Sequence, residues 1–148
     1  MQNGGPGCSG LLGLYTEQGP FRPDAEGTLS ENPYRWNRVA SMLFIEAPVG
    51  VGFSYAENPA DYNIGDLKTA QDNYRLILQF LARFPQFQAN PFVISSESYG
   101  GHYMPTLATE IVLQQERAPS AEKLNFKGFL VGNPFTSWMN NKVKTKSV

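Results

Sequence analysis

Between Pro91 and Tyr103 the chain reads PFVISSESYGGHY, and this stretch narrows the possible folds more than any other. Phe92-Val93-Ile94 is a short, apolar, β-branched run of the kind that forms a buried strand. It passes at once into Ser-Glu-Ser-Tyr-Gly-Gly, and an amphipathic stretch from about Gly101 to Gln115 follows as a helix. A strand that breaks sharply into a helix with serine at the apex lifts one hydroxyl clear of the sheet and presents it to a ligand. Ser98 is therefore the candidate nucleophile, flanked by Glu97 and Tyr99. In the pattern Gly-x-Ser-x-Gly, Ser96 takes the place of the first glycine and Gly100 keeps the last.

A second segment points the same way. Asn3-Gly4-Gly5-Pro6-Gly7-Cys8-Ser9-Gly10 concentrates glycines that permit positive φ and a close approach of backbone to ligand. Behind an elbow serine, one backbone N–H of an oxyanion hole comes from the residue after the nucleophile and another from an early glycine-rich loop. Gly5 and Tyr99 are the natural pair of donors.

Several stretches resemble the serine carboxypeptidase family: Asn3 to Ser9, Asn32-Pro33-Tyr34-Arg35-Trp36-Asn37, Glu46-Ala47-Pro48-Val49-Gly50-Val51-Gly52-Phe53-Ser54-Tyr55, Thr69-Ala70-Gln71-Asp72-Asn73-Tyr74, and Glu97 to Tyr103. The resemblance is collinear from Asn3 to about Pro134. It implies an α/β-hydrolase fold, of which this chain holds the N-terminal part of a doubly wound, mostly parallel sheet, with the domain over residues 1–139 and a polar, lysine-rich tail over 140–148. It implies a serine peptidase acting through an acyl-enzyme on Ser98, without a cofactor, on peptides or proteins with a free C-terminus. Asn3, Gly4, Glu17 and Glu97 take the family positions that bind the terminal carboxylate. Two close carboxyls achieve this by sharing a proton, which raises an apparent pKa. Without the family pattern, Glu17 reads as a solvated glutamate at a helix end. Relatives are secreted or sent to vacuoles or lysosomes. No signal peptide precedes Asn3, and the expectation is that the sequence begins late. In the family the cysteine at Cys8 pairs with a distant downstream partner; by itself, the single cysteine reads equally as a small buried apolar residue.

The rest of the sequence bounds the function. The 148 residues carry 41% hydrophobic and 13% aromatic residues, enough for one core, and a net charge of −1 that gives no pull toward nucleic acid or an anionic membrane. No apolar run reaches membrane-spanning length, and no His/Cys/Asp/Glu spacing suggests a metal. His102 is the one histidine, four residues after Ser98 and a turn into the following helix, where packing or capping suits it better than acting as the base. The order serine, aspartate, histidine in this fold places both remaining triad members after Val148. Two alternatives share the elbow: an acyltransferase passing the acyl group to an alcohol, and a truncated, inactive peptide-binding product.

The coarse element reading is a short helix over Leu11 to Tyr15, a hairpin or loop over Phe21 to Glu31, and an aromatic loop at Asn32 to Asn37 packing over the sheet edge. A buried parallel strand follows at Ser41 to Ala47, with a loop at Pro48 to Tyr55. A helix opens at Asp61 to Asp66, packs on the sheet through Leu67, Ala70, Tyr74, Ile77, Leu78 and Leu81, and stops at Pro85. The last strand spans Leu124 to Val131. Pro105 is expected in the first turn of the helix behind the elbow. Tyr55 and Tyr103 read as core aromatics that alternatively line a pocket. Strand and helix alternating in this order argue for a parallel α/β sheet.

Overall fold

The computed structural model describes residues 1–119 and 123–137; the expected tail at 140–148 lies outside them. The chain forms two compact units, residues 1–63 and 64–148.

The second unit carries the elbow. Strand β3 (Phe92–Glu97) pairs in parallel with β4 (Phe126–Gly132), with Ser96 opposite Val131 and Glu97 opposite Gly132. Helices α2 (Asp66–Arg83) and α3 (Gly100–Arg117) complete it. Helix α3 lies on both strands, and α2 packs on α3 rather than directly on the sheet. The reason lies in the helix faces. Ala70, Tyr74, Ile77 and Leu81 recur at three- and four-residue spacing and meet Tyr103, Met104, Leu107 and Ile111 of α3, with Ile94 of β3 closing the cluster. Met104 and Ile111 are essentially inaccessible. Leu67, placed on the apolar face by its spacing, is instead 62% exposed, because it sits in the first turn, ahead of the buried cluster.

Helix α2 begins at Asp66 rather than before it. A separate 3-10 turn, Pro59–Tyr62, is capped by Asn58, whose Oδ1 accepts the Ala60 N–H at 3.0 Å. Gly65 is fully extended and separates turn from helix. Phe84 and Pro85 end α2, since proline disfavours a helical conformation in the residue before it. Helix α3 starts at Gly100, so Pro105 stands beyond the first turn, inside the helix. The bond its N–H would have donated to Gly101 is missing.

The first unit is built from loops and short elements. Ser9 caps α1 (Gly10–Leu12), its Oγ accepting the Leu11 N–H at 3.1 Å. The helix runs on as a π-helical turn, Gly13–Glu17. β1 (Phe21–Pro23) and β2 (Leu29–Glu31) form the antiparallel hairpin, turned at Asp24, whose Oδ1 accepts the N–H groups of Glu26 and Thr28.

Three sequence expectations fail in this unit. Ser41 to Ala47 is not a strand: a single parallel bridge joins Ile45 to Gln2. A strand exists only through its neighbours, and here Met1 and Gln2 alone lie alongside. Nor does the Asn32–Asn37 loop pack through its aromatics. Tyr34 is 78% exposed, whereas Asn32 is fully buried and bonded to backbone on several sides. Tyr55 likewise is exposed rather than core, while Tyr103 is buried as expected.

Among the described residues no helix is long and apolar enough to cross a membrane. The architecture is mixed α/β with a parallel sheet, consistent with an α/β-hydrolase-like fold.

Candidate active site

Ser98 follows the last residue of β3 and precedes α3 by one residue. Its φ is +54°, a left-handed conformation uncommon for any residue with a side chain. Three backbone bonds hold it there. Its N–H donates to Gly132 O at 2.9 Å, and its C=O accepts from Phe135 N at 2.7 Å and from Gly101 N at 3.0 Å. Thus the end of β4 and the segment just after it grip the peptide groups on both sides of the turn, and the helix takes the same carbonyl. The sharp turn needs room behind it. A Cβ on Gly100 would run into the side chain of Ser96 and come within 3.3 Å of Val131 Cγ1. With serine at the first elbow position, Gly100 alone supplies the clearance.

The next residue, Tyr99, is fixed by its side chain. Its hydroxyl donates to the Asp66 carboxylate, 3.1 Å from Oδ2 and 3.3 Å from Oδ1. Its ring stacks on His102 at 4.9 Å, meets Tyr103 edge-on at 4.9 Å and lies parallel to Phe135 at 6.3 Å. Desolvation, reinforced by the Asp66 hydrogen bond and charge, raises the phenol pKa. The backbone N–H of Tyr99 has no acceptor among the described residues, so it is available to a ligand. His102 packs on Tyr99 and on Phe135, and its Nε2 is buried with no hydrogen-bond partner among them. An imidazole packed into this three-ring cluster braces the tyrosine, in line with a packing role.

Sequence reasoning missed Asp66 and Phe135. Asp66 read only as a helix-opening residue, and Phe135 fell after the last strand. Neither has a local pattern linking it to the elbow, because both contacts arise from how the helices and strands pack.

In the first unit the glycine-rich loop presents Gly5 at φ +111°. A Cβ there would come within 2.8 Å of both Gly7 N and Cys8 N, so the turn admits glycine alone. Gly5 is exposed, and its N–H has no acceptor among the described residues. Gly4 is buried, with its carbonyl taking the Cys8 N–H at 3.1 Å. Asn3 is 1% exposed, and its Oδ1 accepts the Gly13 N–H at 3.2 Å. The same bond ties Asn3 to the π-helical turn that ends at Glu17. Glu17 is half-buried, and its backbone is held from behind: Asn32 Nδ2 donates to Glu17 O and to Gly19 O, each at 2.9 Å. The Asn32 to Asn37 motif was singled out in the sequence, but this buried backbone-holding role of Asn32 was not. Cys8 is half-buried beside the loop. Among the described residues no three His, Cys, Asp or Glu side chains group as metal ligands would.

A parallel α/β unit with a serine at a strained strand–helix junction, together with a glycine-rich loop of exposed N–H, defines the class of elbow-serine α/β proteins. Within that class the chain belongs to the serine carboxypeptidase family, whose profile matches residues 2–147. It is 47% identical over 137 residues to serine carboxypeptidase-like 20 of Arabidopsis thaliana, covering 88% of this chain and 27% of that protein. It is 44% identical over 139 residues to serine carboxypeptidase 1 of Hordeum vulgare, with 88% and 27% covered. Among solved structures it is similar to the prohormone-processing carboxypeptidase Kex1Δp of Saccharomyces cerevisiae, with a TM-score of 0.80, 30% identity, and 90% of this chain and 29% of that one covered. The chain thus spans less than a third of the length of these relatives.

Proposed function

We propose that this chain is the nucleophile-bearing part of a serine-type carboxypeptidase whose hydrolase domain includes residues 1–139. The observation that carries the reading is Ser98 itself: a non-glycine residue at φ +54°, gripped on both peptide faces and followed by an unpaired N–H. Strain of this kind persists where surrounding structure over-determines it, and it aims a side chain rather than stabilising a turn.

In this reading the Ser98 hydroxyl attacks the carbonyl of the last peptide bond. The serine proton passes to a histidine outside these 148 residues, since His102 is committed to the Tyr99 and Phe135 rings. The carbonyl oxygen becomes an oxyanion and accepts hydrogen bonds from the N–H groups of Gly5 and Tyr99. Collapse expels the terminal amino acid, which takes the proton, and leaves an ester on Ser98 that water hydrolyses. Asn3, Gly4, Glu17 and Glu97 bind the substrate's terminal carboxylate. A free C-terminus on a peptide or protein is the group recognised, in a secreted or vacuolar/lysosomal setting as family membership suggests.

Turnover of one peptide with a free-acid end and with an amide end, measured from pH 4 to 8 in the full-length protein, tests this. The free acid is expected to be cleaved in preference to the amide, and the preference is expected to vanish in Glu97→Gln through KM. Equal cleavage of both at every pH contradicts the reading. Transfer to an alcohol without peptide turnover points to the acyltransferase instead.

A further inference from the structure

Glu46 lies outside every role given above, yet its carboxylate is the most heavily committed in the first unit. One oxygen, Oε1, accepts the Ser9 hydroxyl, and the other, Oε2, accepts the Phe53 N–H at 2.6 Å. The Leu11 N–H lies against it as well, and these donors, Phe53 foremost, hold its carboxyl below a glutamate's ordinary range. Its own backbone carbonyl takes the Ser54 hydroxyl at 2.6 Å. The loop around it is shaped to this end. Gly52 stands at φ +56°, and a Cβ there would run into the Glu46 carboxylate. So one side chain ties the Pro48 to Tyr55 loop to Ser9, the residue that caps α1 and directly follows the glycine-rich turn.

That connection matters because of what precedes it. The Gly5 turn is closed by backbone, the Cys8 N–H bonding the Gly4 carbonyl. Where the turn leaves for α1 is set by Ser9, and Ser9 is set by Glu46. We infer that Glu46 is a positioning residue for the Gly5 N–H: by clamping Ser9 between the α1 cap and the 48–55 loop, it fixes the exit of the glycine-rich turn and hence the aim of that donor. Glu46 does not touch the substrate and acts only through Ser9. This inference rests on Gly5 serving as an oxyanion donor, as proposed above.

The test uses Glu46→Gln and, separately, Ser9→Ala in the full-length protein, with Tm recorded for each. Glutamine keeps an acceptor but loses the charge that two donors share. Misaiming an oxyanion donor by a fraction of an ångström is expected to lower kcat/KM by about 10- to 100-fold. Affinity for a peptidyl phosphonate, which mimics the oxyanion, should fall in the same proportion. Affinity for the free-acid product peptide should stay within about twofold, because product makes no oxyanion. A purely structural role would instead weaken phosphonate and product alike. That equal loss, or unchanged phosphonate affinity in both variants, overturns the inference. Should the wild-type protein show no peptidase turnover, the proposed function fails rather than the clamp. Amide hydrogen exchange then decides: faster exchange over residues 4–12 in Glu46→Gln supports the clamp, and unchanged exchange there refutes it. Should Glu46→Gln not fold, Ser9→Ala gives the same readouts with the milder lesion.

Discussion

At the scale of single residues, the elbow is a problem of space and backbone conformation. Serine at position 96 adds a side chain where the general pattern has glycine, and the cost falls on Gly100, whose missing Cβ would collide with that side chain. The two positions should therefore be coupled. Gly100→Ala is expected to destabilise by about 1–3 kcal/mol, the range for overpacking a well-filled site. Ser96→Gly removes the atoms that the new methyl strikes, so the double variant should recover much of the loss. Denaturant unfolding of the four proteins in this cycle checks it; additive effects would mean that the close approach is relieved elsewhere. Residues of this kind were legible in the sequence. Ser98, Tyr99 and Gly100 follow from a strand-to-helix junction, a signal contained within a dozen adjacent positions, and the glycine-rich turn around Gly5 is equally local. Asn32, Asp66 and Glu46 were not legible in these roles. Each is polar, sits in or beside a loop or helix start, and gains its role from a residue more than ten positions away.

At the scale of elements, the elbow is held from two directions. The end of β4 and Phe135 just after it take the two peptide groups of Ser98, and the first residue of α2, Asp66, takes the Tyr99 hydroxyl. The strands and both long helices were legible: β3 from its β-branched run, α2 from its apolar spacing, α3 from the strand-to-helix junction before it, and β4 close to its bounds at Leu124 to Val131. The strand expected at Ser41 to Ala47 had an apolar run just as clear, but a run alone makes no strand without a neighbouring segment to ladder with, and a single bridge to Gln2 is no ladder. The Asp66–Tyr99 contact has a pH signature. Burial and the neighbouring carboxylate raise the Tyr99 pKa in the folded chain, so folding favours the protonated phenol. Its contribution is fully present below the ordinary tyrosine value near ~10 and is lost as pH rises through the higher folded value. Tyr99→Phe should therefore lose about 0.5–1.5 kcal/mol at neutral pH, and its stability should fall less than wild type's on the alkaline side. Parallel alkaline limbs for the two proteins would argue against the contact.

At the scale of the whole molecule, the parallel sheet is left incomplete among the described residues. β3 pairs with β4 and with no other described strand, while Val93 on β3 and Phe129 and Leu130 on β4 are 44%, 45% and 55% exposed. Apolar side chains on open strand edges template association. The 148-residue chain expressed alone is expected to self-associate and to be catalytically silent, whereas a longer form that covers β3 and β4 should be monodisperse. Size-exclusion chromatography with light scattering separates the cases; a stable monomer of the short chain would show that its exposed face tolerates water. The fold class was legible at this scale because alternating strands and helices allow few layered arrangements. The extent of the sheet was not, since it depends on strands that pair across long sequence distances.

The most direct measurement is to treat the full-length protein with a fluorophosphonate and map the adduct by tandem mass spectrometry. Ser98 has to be the hydroxyl that its backbone conformation and the flanking unpaired N–H prepare for attack. A single stoichiometric adduct on Ser98, lost in Ser98→Ala and suppressed by a free-acid peptide, is the predicted result. A folded protein that stays unlabelled, or that labels at another serine while Ser98 remains free, would contradict the account.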